Sequence, residues 1–320
     1  MKDNIINIVF CSDSNYLEYV AIAIKSIQLN NFKNNFQFHI FLYDIQESEL
    51  IKFKKLDAPI KLYFIEQQEL GQYKNEHKLK HINRSMYIRI LVPRLLKNEV
   101  DKFIYLDADT LCFRDISPIN QIDINSVVCA VISDSPDPIS IKKNIQRLKL
   151  KTDNYFNSGF LYINTKNWVD SDVENKVNAI LLNPQSYHLI YPDQDALNLV
   201  LQNQVKYIDF KWNYLFTWMN ESEKEQFFYH KESIPYIIHF TGARKPWYIE
   251  HAGLAQNLYI FYKHFTPWSN EPLKSYFPKM RINDYRIYAK NFFKKRNLLK
   301  ALQYYSKYFL LKLRIIKLNN

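Results

Sequence analysis

Glycine is nearly absent from this chain: four residues in 320, Gly71, Gly159, Gly242 and Gly253. That scarcity excludes the Gly-x-Gly-x-x-Gly turn and the Gly-x-x-x-x-Gly-Lys loop, so a bound nucleotide needs another device to hold its phosphates. Cysteine is scarce too. Cys11, Cys112 and Cys129 are odd in number, far apart and flanked by apolar residues. They read as reduced, mostly buried thiols of a cytosolic protein, not as a disulfide framework or a zinc site. No apolar run approaches the ~20 residues of a membrane-spanning helix. Residues 1–10 hold only a short apolar run with no small-residue cleavage site after it, so no signal peptide is expected.

Acidic residues are missing from one segment only. Residues 279–320 carry twelve basic residues and a single acid, Asp284, which accounts for the whole net charge of +11. The preceding 278 residues carry 31 basic and 31 acidic side chains, so the body needs no anionic partner to explain its composition. With 47% apolar and 16% aromatic residues, the chain has ample material for one large core or two modest ones.

What is present centres on residues 102–110, Lys-Phe-Ile-Tyr-Leu-Asp-Ala-Asp-Thr. The apolar run 103–106 reads as a buried strand that stops at two carboxylates, Asp107 and Asp109. Strand alternation sends both to one side, and Ala108 leaves the backbone between them open. Two hard oxygen donors at the carboxyl end of a buried strand suit a divalent cation carrying phosphate. A solvated turn is the plain alternative. Asp-x-Asp-x-Thr also resembles the opening of haloacid-dehalogenase phosphatases, but those add a downstream Gly-Asp-x-x-x-Asp. None of the four glycines here is followed by Asp.

Periodicity predicts strands at 4–11, 36–43, 60–65, 103–106, 127–132, 160–164, 205–210 and 236–240. Helices are predicted over Leu17–Ile27 and at 47–56, 82–96 and 174–182. Residues 133–138 read as a loop, and the polar stretch to Asp153 as a flap. Strands alternating with helices imply an α/β fold with a mainly parallel sheet, its ligand at the strand carboxyl ends. Pro267, Pro272 and Pro278 mark a boundary before the basic tail.

Several short motifs need one explanation: Cys11-Ser12-Asp13-Ser14-Asn15-Tyr16, Asp107-Ala108-Asp109, Asn157-Ser158-Gly159, Tyr191-Pro192-Asp193-Gln194-Asp195, and a stretch from His239 through Gly242 and Lys245 to Trp247, with Arg89 alone on a helix. In that order they resemble glycosyltransferase family 8, nearest to bacterial lipopolysaccharide α-galactosyl- and α-glucosyltransferases, with glycogenin a distant relative. The resemblance runs from about Ile8 to Trp247. It implies a GT-A type catalytic domain over 1–278 and leaves 279–320 as a separate tail.

The resemblance also implies roles. Asp107, Asp109 and His239 stand as metal ligands, for Mn²⁺ in preference to Mg²⁺. A core histidine is the alternative for His239. Cys11, Ser12, Asp13, Asn15 and Tyr16 line the uridine and ribose; Gly242, Lys245 and Trp247 wrap the diphosphate. Arg89 and Ala108 reach the donor, although Arg89 alone reads as a surface helix charge. Asn157 and Asp193 meet the transferred sugar, Gln194 lies beneath its anomeric carbon, and Asp134 contacts the acceptor. Asp195 alternatively caps a helix, with Asp193 a turn acid. The implied reaction retains configuration, moving galactose or glucose from a UDP-sugar to a lipopolysaccharide-like acceptor, by front-face attack or through Asp193 as nucleophile. Glycogenin-like glucosylation and a non-catalytic nucleotide-sugar or nucleic-acid binder stay open beside it.

In the tail, Leu298, Leu302, Tyr305, Phe309, Leu313 and Ile316 share one helical face, with Lys300, Lys307 and Arg314 opposite. A basic amphipathic helix suits an anionic membrane surface, here the cytoplasmic face of a membrane bearing a lipid-linked acceptor. No nucleic-acid partner is expected. A helix packed on the body with solvated lysines is the structural alternative.

Overall fold

The computed structural model describes residues 5–70, 87–227, 229, 233–251, 253–294 and 296–315. Among the described residues, ten strands form where β-branched and aromatic residues cluster: β1 (Ile6–Ser12), β2 (Phe36–Leu42), β3 (Ile60–Phe64), β4 (Lys102–Leu106), β5 (Thr110–Cys112), β6 (Cys129–Ser133), β7 (Phe156–Asn164), β8 (Val205–Tyr207), β9 (Tyr214–Leu215) and β10 (Ile237–His239). The helices are α1 (Leu17–Asn30), α2 (Glu47–Phe53), α3 (Ile88–Leu96), α4 (Pro138–Leu148), α5 (Thr165–Asp170), α6 (Val173–Leu181), α7 (Pro184–Tyr187), α8 (Pro192–Val200), α9 (Glu221–Glu225), α10 (Leu254–Lys263), α11 (Ile282–Lys294) and α12 (Leu298–Lys312).

Contacts divide the chain into two compact units, Met1–Thr241 with Tyr262–Asn270 and Gly242–Phe261 with Glu271–Asn320. The boundary expected after Pro278 falls inside the second. In the first unit, seven strands lie in the order β3-β2-β1-β4-β7-β6-β8, and β5-β10-β9 make a small second sheet. Every pairing in the large sheet is parallel except those of β7, which runs antiparallel to both β4 and β6. The fold is therefore α/β with a mostly parallel sheet, as expected. Successive β1 residues point to opposite faces, and each face has its own core. Val9 joins Phe41, Leu91, Tyr105, Trp168 and Leu197. Ile8 and Phe10 join Ile24, Phe38, Ile104 and Trp268.

Four expectations need correction. Residues 138–148 are helix α4, not part of a flap. Asp137 caps it through the Ile139 and Ser140 amides, Pro138 starts it, and Ile141 and Leu148 are buried. β7 begins at Phe156, four residues before its expected start. The strand expected at 205–210 ends at Tyr207, since Phe210–Asn213 is a 3₁₀ turn capped by Asp209. Asp195 lies inside α8 and is no N-cap. The expected helix at 82–96 is α3, which runs through Pro93; its first five expected residues, like Asn4 and Ile316, lie outside the described residues.

In the second unit, α11 and α12 form a hairpin. Tyr304 packs on Tyr285, Tyr288 and Phe292 with ring centres 5.2–6.1 Å apart, and Ala301 and Leu311 are buried. Asp284, the one acid of the tail, is buried there, taking hydrogen bonds from Arg244, Tyr276 and the Arg281 amide. The apolar stripe read from the sequence faces outward: Leu298, Leu302, Phe309 and Leu313 are each more than half exposed.

Candidate active site

The carboxyl ends of β1 and β4, which are adjacent and parallel, set Asp13 and Asp107 at one edge of the sheet. β7 enters that edge from the opposite direction. The β4–β7 pairing ends at Leu106 and Phe160, and the Asp107 amide still donates to the Gly159 carbonyl at 2.9 Å. His239 closes the constellation from β10, which pairs with β5 so that His239 faces Thr110.

Asp107, Asp109 and His239 each offer one ligand atom within 4.8 Å of the others. His239 is 3% exposed, and its Nε2 lies 3.1 Å from Asp109 Oδ1 and 3.8 Å from Asp107 Oδ2. Its other nitrogen, Nδ1, lies 3.1 Å from Asn213 Oδ1, an oxygen that can only accept. Nδ1 therefore donates, which leaves Nε2, on the carboxylate side, as the nitrogen placed to bind a metal. Gly159 makes the approach feasible. A Cβ there would lie 2.2 Å from His239 Cε1 and 2.8 Å from Asp107 Oδ2, so a side chain and this triad exclude each other. Two carboxylates and an oriented imidazole fit a divalent cation.

Arg89 is not a surface charge: it is 5% exposed, with its guanidinium 4.7 Å from the Tyr105 ring centre. It pairs with Asp107 at 2.9 Å and with Asp193 at 3.4 Å, and donates to the Ser158 carbonyl at 2.9 Å. Tyr105 donates to the same Asp107 oxygen at 2.7 Å. Burial holds the Asp193 carboxyl above the usual range, with Arg89 offsetting only part of that rise.

Gln194 is fixed at both ends. Its oxygen accepts from the Ser158 amide at 3.0 Å and Asn157 Nδ2 at 3.2 Å; its nitrogen donates to the Tyr155 hydroxyl at 3.0 Å and Asp134 Oδ1 at 3.2 Å. Asn157 also donates to Asp134, at 3.0 Å, and its oxygen accepts from Asn213 at 2.9 Å. Behind them Asp195, fully buried, binds Arg147 through both oxygens and accepts from Tyr155 at 2.6 Å. The chain from His239 through Asn213, Asn157 and Gln194 to Tyr155 is thus continuous.

Asp13 is buried, and one oxygen accepts from the Asn15 and Tyr16 amides at 2.9 and 3.2 Å, closing the turn after β1. Its neighbour Ser12 is buried, Asn15 and Tyr16 are exposed, and Ala108 is half-buried. Burial pushes the Cys11 thiol well up, so it stays protonated. Gly242, Lys245 and Trp247 belong to the second unit, where Gly242 has φ +83° and the Lys245 ammonium lies 5.9 Å from the Trp247 ring centre.

Sequence reasoning did not single out Tyr155, Ser158 as a hydrogen-bonding partner, Asn213, or Arg147. Arg147 carried a signal: it falls in the last turn of a helix that Asp137-Pro138 announces.

Residues 7–251 match the sequence profile of Glycosyl transferase family 8. The chain belongs to that family. Among relatives of this family 8 glycosyltransferase, lipopolysaccharide 1,2-glucosyltransferase of Escherichia coli K12 is 31% identical over 281 residues, 83% of this chain and 80% of that one. Lipopolysaccharide 1,3-galactosyltransferase of Salmonella typhimurium is 26% identical over 319 residues, 96% of this chain and 91% of that one. A crystal structure of galactosyltransferase LgtC, in complex with donor and acceptor sugar analogs, superposes with a TM-score of 0.69 at 21% identity, covering 82% of this chain and 96% of that one. The shared fold is of the GT-A type.

Proposed function

We propose that this family 8 enzyme is a metal-dependent, retaining hexosyltransferase, moving galactose or glucose from a UDP-sugar to a lipopolysaccharide-like saccharide. The oriented triad of Asp107, Asp109 and His239 carries the reading, with Asn213 fixing the imidazole. The lipopolysaccharide glucosyl- and galactosyltransferases among its enteric relatives support the donor sugar and the acceptor class. The mixed oxygen and imidazole donor set favours Mn²⁺ over Mg²⁺. When bound, the cation supplies positive charge that eases departure of the diphosphate.

The chain's own residues do the rest. Asp13 and Asn15 hold the uridine end. Arg89 ties Asp107 to Asp193, so the metal side and the sugar side of the site move together. Asp193 accepts from sugar hydroxyls, and Gln194, with Asp134 and Asn157 beside it, sets the floor beneath the reacting carbon. An amide is a poor nucleophile, so the acceptor oxygen attacks from the face the phosphate leaves. The C1–O(phosphate) bond breaks with its electron pair going to UDP, the new C1–O bond forms, and the acceptor proton passes to a phosphate oxygen.

The basic tail holds the enzyme at the cytoplasmic face of an anionic membrane that carries the acceptor. Leu298, Leu302 and Phe309, presented outward on α12, support this, beside the tail's twelve basic residues. Among the described residues no helix is long and apolar enough to cross a membrane. UDP release from a panel of UDP-sugars tests the whole reading. Release should depend on Mn²⁺, stop with EDTA, and fall at least 100-fold in Asp107→Ala, Asp109→Ala and His239→Ala. Undiminished release by all three variants in EDTA would overturn it.

A further inference from the structure

We propose, on the reading of Gln194 as the floor beneath the reacting carbon, that Arg147 on α4 is a positioning residue for the transfer step. It acts through Asp195 and Tyr155 to hold the Gln194 amide in one orientation. A buried ion pair between α4 and α8, which the transfer chemistry itself does not use, thereby gains a role.

Arg147 does not behave as a surface charge at the end of a polar helix. Its side chain is 17% exposed, and that of its partner Asp195 is fully buried. Nη1 and Nη2 reach the two Asp195 oxygens at 2.8 and 2.9 Å, and also the His188 carbonyl at 3.0 Å and Asn144 Oδ1 at 2.9 Å. That fork fixes the plane of the carboxylate, which a lysine ammonium, a single point of charge, cannot do. The Ile190 and Tyr191 amides donate to Oδ2 at 2.7 and 3.0 Å, and the Tyr155 hydroxyl to Oδ1 at 2.6 Å. Both Asp195 oxygens are thus taken by protein donors, so Asp195 serves as an anchor and not as a group open to a sugar.

The anchor sets the direction of each bond that follows. A carboxylate only accepts, so the Tyr155 hydroxyl spends its single proton on Asp195. Burial, reinforced by the Asp195 charge, pushes the Tyr155 phenol well up, so the proton stays on it. Toward Gln194 the hydroxyl can then only accept, and the amide must present Nε2 to it, at 3.0 Å. At the other end the Ser158 amide can only donate, so Oε1 faces it, also at 3.0 Å. Both ends demand the same orientation. With the Asp195 carboxylate no longer held in place, the Tyr155 hydroxyl can turn its proton to Gln194, and the demand at that end lapses. The segment between is pinned twice: Asp134, just ahead of α4, accepts from Gln194 Nε2 at 3.2 Å, and Arg147 lies in the last turn of α4.

Steady-state kinetics of the full-length protein, with the side-chain NH₂ signals of protein labelled with ¹⁵N-glutamine, test the assignment. The Gln194 signal pair is identified by its absence from Gln194→Glu. Arg147→Lys keeps the charge and loses the fork. It should lower kcat about 3–10-fold, the worth of one hydrogen bond, leave the donor KM and Mn²⁺ affinity unchanged, and move the Gln194 pair. Tyr155→Phe should do the same while leaving the ion pair whole. Combined, the two changes should cost no more than either alone, since they break one chain. A brace that only stiffens α4 would instead make the losses multiply, to about 10–100-fold. Wild-type kcat in Arg147→Lys, multiplied losses in the double variant, or a Gln194 pair unmoved in Tyr155→Phe would each overturn the proposal, the last however well Arg147→Lys folds. A wild-type protein that released no UDP from any donor would overturn the hexosyltransferase reading instead, and the Gln194 signals would still show whether Arg147 orients the amide.

Discussion

Asn213 Oδ1 lies 3.1 Å from His239 Nδ1, and Asn213 Nδ2 lies 2.9 Å from Asn157 Oδ1. One buried amide therefore sets the tautomer of a proposed metal ligand and the orientation of a proposed sugar-pocket residue. Asn213→Ala should weaken Mn²⁺ binding by about 10–100-fold. Mn²⁺ titration followed by electron paramagnetic resonance reads this directly, with circular dichroism as the control for folding. Unchanged affinity would remove Asn213 from the account.

Gly159→Ala is the sharper probe of the same site. The added methyl cannot share space with His239 Cε1 at 2.2 Å. The expected result is loss of transfer on the order of 100-fold, as for a misplacement of about 1 Å. UDP release and Mn²⁺ affinity should fall together.

Tyr155 tests whether Gln194 needs a fixed orientation. Tyr155→Phe removes the hydroxyl that joins Gln194 to Asp195. The kcat of transfer should fall about 3–10-fold, the net worth of one hydrogen bond. The KM for donor should hardly change, since no proposed nucleotide contact is touched. An equal rise in KM would place Tyr155 in donor binding instead.

A pH dependence arises far from the site. His39 is buried between the Tyr63 hydroxyl at 2.9 Å and Asn7 Oδ1 at 3.0 Å. Burial, with a smaller effect of Lys61, holds its pKa down to about 4 against an ordinary 6.5. The native state thus takes up this proton less readily than the unfolded chain. The stability it contributes is complete above 6.5 and is lost as pH falls toward 4. Thermal midpoints measured between pH 7.5 and 4.5 should fall across that window, and His39→Gln should flatten the fall.

The tail admits a test that leaves the hairpin intact. Leu302 and Phe309 are 68% and 54% exposed, so Leu302→Asp and Phe309→Asp should leave the thermal midpoint within experimental error. Both should reduce co-sedimentation with anionic vesicles. Wild-type sedimentation by the double variant would remove the apolar stripe from membrane binding.

Much of the site was legible because short motifs mark it: an apolar run halting at Asp107-Ala108-Asp109, and His239 ahead of Gly242. Strand positions followed from runs such as Ile8 to Phe10. What was not legible depends on placement across the chain. Asn213 sits in a 3₁₀ turn with no local pattern, and it matters only because β10 brings His239 beside it. Asn157 and Ser158 look like loop residues, yet they occupy a buried strand whose polar side chains serve the site. Helix α4 was concealed by polar composition. Its Asp137-Pro138 start and the spacing of Ile141, Ile145 and Leu148 were readable, but α4 is tied down by an ion pair from Arg147 to Asp195, 48 residues away.

The reversed direction of β7 has a further effect. The stretch of β7 paired with β4, Phe160–Asn164, is about 17 Å long, so a parallel β7 would have left Gly159 beside Asp101 at the other end of β4. Running backwards, it delivers the glycine beside Asp107 and ends at Asn164 next to Lys102. The pairing acts as a ruler with its zero at Asp107. One residue inserted between Phe160 and Asn164 would shift the residues on its N-terminal side by one, turning side chains of one core toward the other and putting a side chain where none fits. Insertions tolerated in the surface loops of this enzyme should therefore be lethal to activity within these five positions.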